Sequence, residues 1–202
     1  MRIRGSMSSE QDTSFIRLVS LACHDLRTPL ATVHGFARTI ARTGDLEEPE
    51  SRYLEMIEAA SGQLAELLDE LSLAARIESG RYEPTTTEVD LGELVRAAAA
   101  RLDEELVRVE GEGELVRVDA PTTERALAAL VRCALRHGGL DQVDVLVDGR
   151  EVRVSPITPS SAPVVLGEDM RDLGAAVAVR LVRALGGSGE LDGEALRVAL
   201  PA

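Results

Sequence analysis

Aromatic residues make up only 2% of the 202-residue sequence, and tryptophan is missing altogether. That excludes an aromatic-rich sandwich core and leaves Leu, Val, Ile and Ala to build the interior, a composition that suits helix bundles. Cysteine is scarce as well. Cys23 and Cys133 stand too far apart for a disulfide framework or for metal-ligand spacing. Basic residues are outnumbered 22 to 35 by acidic ones, for a net charge of −13. A field of that sign disfavours nucleic acid and anionic lipid as partners. No apolar run reaches the roughly 18–20 residues of a membrane span, and no secretory signal core is present. The expectation is a cytoplasmic protein without nucleic-acid or membrane partners. Met1–Ser6 (MRIRGS) reads as an added leader, with a native start at Met7 and no order expected over residues 1–10.

What is present divides into two halves. From Ser14 to about Thr43, Val19, Leu26, Val33 and Ile40 recur every seven residues. Phe15, Ala22, Pro29 and Phe36 run beside them, and Ile16, Cys23, Leu30 and Ala37 widen the stripe. So broad an apolar face predicts a helix packed in a bundle. Gly44–Pro49 breaks the pattern. A second helix follows, with Ile57, Leu64 and Leu71 on one seam and Tyr53, Ala60, Leu67 and Ala74 on the next, stopping at Ser79-Gly80. Residues 11–80 therefore form an antiparallel hairpin that cannot bury its own faces. A second hairpin covers them in a dimeric four-helix bundle with two-fold symmetry. Packing against the C-terminal half is the alternative.

Residues 81–89 read as a linker, and residues 90–202 as an α/β sandwich with helices on one face of a mixed sheet. Asp90 is placed to cap a helix over 91–102. Strands are expected at 105–109, 114–119, 142–148, 150–155, 189–192 and 194–200, with helices at 121–137 and 170–185. Asp148-Gly149 marks a hairpin turn. The fold class is α+β.

Chemistry concentrates on the first helix. His24 falls opposite the apolar seam, with Asp25 next to it and Thr28 one turn on. Pro29 removes a backbone hydrogen bond just beyond. A neutral imidazole nitrogen is nucleophilic near neutral pH, a carboxylate can orient it or take its proton, and a hydroxyl can position water.

The segment His24-Asp25-Leu26-Arg27-Thr28-Pro29-Leu30, continuing through Ala31–Phe36, resembles the phosphoacceptor motif of two-component sensor histidine kinases. Leu71–Gly80 is similar to that family's second dimerisation helix. The resemblance implies that His24 becomes phosphohistidine, that Asp25 assists, and that Thr28 supports phosphatase activity in some members. It also implies response-regulator receiver domains as partners, with an upstream hybrid kinase as a candidate donor. Arg17, Arg27 and Arg38 lie on or near the face of His24, where a receiver would dock.

The second half resembles the same family's ATP-binding domain in outline. Ala129 and Cys133 stand where the resemblance places two asparagines of a magnesium-binding motif. A neutral thiol is a poor ligand for that hard cation. Val154-Ser155-Pro156-Ile157-Thr158-Pro159 stands where an adenine-binding aspartate and its glycines are expected. About 15 residues remain for a nucleotide lid, too few for the usual kind. The expectation is a domain that keeps the fold without ATP or magnesium, any magnesium lying on the partner receiver. The function expected is histidine phosphotransfer in a phosphorelay. An active soluble kinase, a phosphatase acting through Thr28, and a sequestering module are the alternatives. Cys23 is expected to pack as a small apolar residue, His34 to be a solvated surface residue, and His137 to play a structural part at a helix end.

Overall fold

The computed structural model describes residues 5–44, 46–103 and 105–202, with side chains described from Phe15 onward, Thr43 excepted. The chain forms two compact units, Met1–Arg81 and Tyr82–Ala202. Among the described residues, no helix is long and apolar enough to cross a membrane.

The first unit is a helical hairpin of α1 (Gly5–Thr43) and α2 (Glu50–Glu78). Residues 1–4 of the expected leader lie outside the described residues. From Gly5 onward the chain is helical, so residues 5–10 do not form the disordered leader expected of them. No proline or second glycine interrupts Ser6–Asp12, and an existing helix extends one hydrogen bond at a time at little cost.

The two helices meet along a narrow seam of small residues. Cys23 and Ala37 of α1 and Ser61 and Ala75 of α2 are buried, flanked by half-buried Ile16, Leu30 and Leu68. The larger side chains stay outside. Leu26 is 54% exposed and Phe36 65%, and Phe15, Val33, Ile40, Tyr53, Leu64 and Leu67 are exposed too. At about 100° per residue, this open stripe sits roughly a quarter-turn from the closed seam on each helix. The hairpin thus carries two apolar faces and satisfies one.

The second unit begins with β1 (Thr87–Asp90), which pairs antiparallel with β3 (Leu115–Val118). The linker expected over 81–89 therefore contains three of the four residues of β1. Asp90 ends it and caps α3 (Leu91–Ala99), accepting the Glu93 backbone N–H at 2.9 Å. The main sheet is mixed, with strand order β2-β4-β5-β7-β6. β2 (Val107–Gly113) and β4 (Val143–Gly149) run parallel, joined by a crossover through α4 (Ala120–Gly138). β4 turns at Gly149 into β5 (Glu151–Ser155), which pairs with β7 (Ala195–Ala199), and β6 (Ser188–Asp192) forms the edge. The hairpin expected at Asp148-Gly149 is there, with Gly149 at φ +59°.

Alternation decides the layers. Val145, Val152, Val154 and Val198 point from the sheet to Val95 and Ala98 of α3 and Leu127, Leu130 and Val131 of α4. The opposite face carries Asp144, Asp148, Glu151, Arg153 and Arg197. α6 (Leu173–Ala184) completes the helical layer beside α4, and α5 (Ala162–Val165) is a single turn before it. The helix expected from 170 starts at Leu173 because Asp172 caps it, accepting the Ala175 N–H at 3.0 Å.

Candidate functional site

His24 follows buried Cys23, and one residue's rotation along α1 carries it out of the seam into solvent. Its Nδ1 lies 3.1 Å from Oδ1 of Asp25, with the two side chains 79% and 66% exposed. A carboxylate accepts only, so this contact places the ring hydrogen on Nδ1 and leaves the Nε2 lone pair free. Thr28 stands one turn on. His24, Arg27, Thr28, Ala31 and Thr32 line one open, shallow groove along α1. Pro29 has no N–H to return to the Asp25 carbonyl, so the helix is one bond short beside the imidazole. The arrangement offers a solvent-facing nucleophile with its tautomer set and a base at its back.

The three arginines are not equivalent. Arg17 is exposed and seven residues from His24, about 10 Å along the same face. Arg27 instead reaches across to α2 and binds Asp69 at 2.8 Å. Arg38 faces Glu58 at 3.4 Å and stands about 21 Å along the helix from His24. His34 differs from its expectation as a solvated residue. It is half-buried between the helices, with Nδ1 at 2.8 Å from Ser61 Oγ. The Ser61 hydroxyl already donates to the Glu58 carbonyl, so His34 donates to it. Cys23 packs in the seam as expected, and burial pushes its thiol pKa up.

In the second unit, Ala129 and Cys133 are both buried on α4. Burial first, and the nearby Asp172 carboxylate second, push the Cys133 thiol up to about 12, which favours the protonated form near neutral pH. One turn on, His137 Nε2 meets Asp172 Oδ2 at 3.2 Å, both side chains largely covered. Between β5 and α6 the chain is closely tied. Ile157 N–H donates to Glu194 O at 2.7 Å, Ser160 Oγ donates to the His137 carbonyl at 2.9 Å, and Ser161 bonds Thr158. Sequence spacing had given no sign that Asp172 joins Cys133 and His137. Only the packing of α6 on α4 brings it there.

Comparison with known proteins supplies the context. Residues 16–80 match the His Kinase A (phospho-acceptor) domain. Histidine protein kinase DivJ of Caulobacter vibrioides is 30% identical over 171 residues, which is 78% of this chain and 28% of DivJ. The probable sensor histidine kinase TcrY of Mycobacterium tuberculosis is 32% identical over 39% of this chain and 17% of its own. The chain thus spans less than a third of either relative. Among solved structures, full-length ShkA in complex with AMPPNP superposes with a TM-score of 0.64 at 21% identity, over 92% of this chain and 46% of that one. The histidine kinase AdeS of Acinetobacter baumannii gives 0.53 at 20%, over 88% and 97%.

Proposed function

We propose that this chain, which belongs to the two-component sensor histidine kinase family, works as a histidine phosphotransfer protein that does not use ATP. The Nε2 lone pair of His24 attacks the phosphorus of a receiver's aspartyl phosphate. A nitrogen–phosphorus bond forms, the phosphorus–oxygen bond breaks, and the aspartate leaves as a carboxylate. Asp25 accepts the Nδ1 hydrogen bond and offsets the positive charge that develops on the ring. The reverse step passes the phosphoryl group to a second receiver. Any divalent cation in either step belongs to the receiver. The site acts in a two-fold dimer, and the open apolar stripe of α1 and α2 supports that reading.

One observation carries the choice of donor. Ala129 and Cys133 stand, buried, where the family resemblance places two metal-binding asparagines, and the sequence contains no asparagine at any position. Neither a methyl group nor a protonated thiol offers the oxygen that magnesium prefers. Calorimetric titration of the chain with magnesium and AMPPNP tests this. The expected result is no binding heat at millimolar nucleotide, and saturable micromolar binding would overturn it.

A second reading is an ATP-dependent kinase. The intact His24–Asp25 pair favours it, as does the nucleotide analogue named in the ShkA structure. It predicts the opposite titration.

A further inference from the structure

We propose that Cys133, His137 and Asp172 form a binding site for a soft divalent transition metal of the zinc class, joining the end of α4 to the start of α6. The inference stands on side-chain geometry and is independent of the phosphotransfer reading. Cys133 and His137 are four residues apart on α4, so both face the same way. Asp172 is the N-cap of α6, and α6 packs along α4. One ligand atom from each of the three lies within 4.8 Å of the others. Ligand atoms around tetrahedral zinc stand about 3.3–3.8 Å apart, given bond lengths of roughly 2.0–2.3 Å. Small side-chain rotations close that gap.

The donor set selects the metal. A thiolate, an imidazole and one carboxylate oxygen suit zinc, cobalt or copper, and they discriminate against magnesium and calcium, which take oxygen. The support for the ligands is also in place. Asp172 spends Oδ1 on the Ala175 N–H at 3.0 Å and keeps Oδ2 toward His137. Such a hydrogen bond fixes the carboxylate in position. Ser160 Oγ holds the His137 carbonyl at 2.9 Å and so steadies that end of α4.

Burial leaves one direction of approach. Cys133 is fully covered, whereas the His137 and Asp172 side chains keep 17% and 15% of their exposure. The metal therefore enters from the His137–Asp172 side, and water completes its fourth position. On binding, the Cys133 thiol gives its proton to solvent. His137 coordinates through Nε2 with its hydrogen on Nδ1, and the metal takes the place of the present His137–Asp172 hydrogen bond. Two helices now joined at this end by a single hydrogen bond gain a three-ligand clamp there.

Cobalt titration of the full chain reads this directly, because a thiolate ligand gives a charge-transfer band that oxygen and nitrogen ligands lack. The expected result is that band at one equivalent, displaced by zinc and not by magnesium. Cys133→Ala abolishes it, and His137→Gln and Asp172→Asn each weaken binding at least about tenfold. Asn retains the cap, so Asp172→Asn tests coordination apart from folding. Cys23→Ser leaves the band unchanged, and circular dichroism checks that each variant is folded. No band in the parent chain, or an unchanged band in Cys133→Ala, would overturn the proposal.

Discussion

His24 Nδ1 and Asp25 Oδ1 lie 3.1 Å apart on the open side of α1, so the carboxylate holds the ring by one nitrogen and leaves Nε2 facing solvent. Asp25→Asn keeps the shape and a polar contact but removes the charge. Transfer to His24 is expected to slow by about 10²-fold, within the range for a lost acid–base partner. His24→Gln should accept nothing. Time courses of phosphohistidine formation measure both.

The open stripe on the hairpin predicts a dimer. Leu26 and Phe36 face solvent within one copy, and both lie on the face a second hairpin would cover. Leu26→Glu places a carboxylate in that interface, where burying it unpaired costs several kcal/mol. Light scattering should find the parent dimeric and this variant monomeric. A monomeric parent, or a dimeric variant, would contradict the arrangement.

His34 and Ser61 link α1 to α2 at 2.8 Å inside the seam. His34→Ala leaves the Ser61 hydroxyl without its donor. Stability is expected to fall by roughly 0.5–1.5 kcal/mol, the net value of one such bond. Urea denaturation followed by helical circular dichroism reads the change.

Gly111 sits in β2 at φ +91°, and a Cβ there would stand 2.0 Å from the Val147 carbonyl oxygen. That neighbour is backbone of the paired strand and cannot move aside. Gly111→Ala should destabilise the second unit by roughly 1–3 kcal/mol. A melting temperature equal to the parent's would refute the close approach.

Much of this was legible in the sequence where periodicity is strong. The heptads of α1 and α2, the Asp90 cap and the Asp148-Gly149 turn all announce themselves locally. Which apolar stripe faces the partner helix does not. The stripe of Val19, Leu26, Val33 and Ile40 looks dominant, yet the hairpin closes on Cys23 and Ala37, whose small side chains let the helices approach. β1 was hidden because Thr87–Asp90 has one apolar residue and becomes a strand by pairing with β3. α5 was hidden in a stretch of proline and serine. His24 was visible because helix register places it, whereas the Cys133–His137–Asp172 group depends on two segments 35 residues apart.

The source of the phosphoryl group on His24 tests the account most directly. The chain is incubated with magnesium and γ-labelled ATP, and separately with a labelled, phosphorylated receiver domain. Label is expected only from the receiver, acid-labile as a phosphoramidate is, and absent in His24→Gln. Label from ATP alone would contradict it.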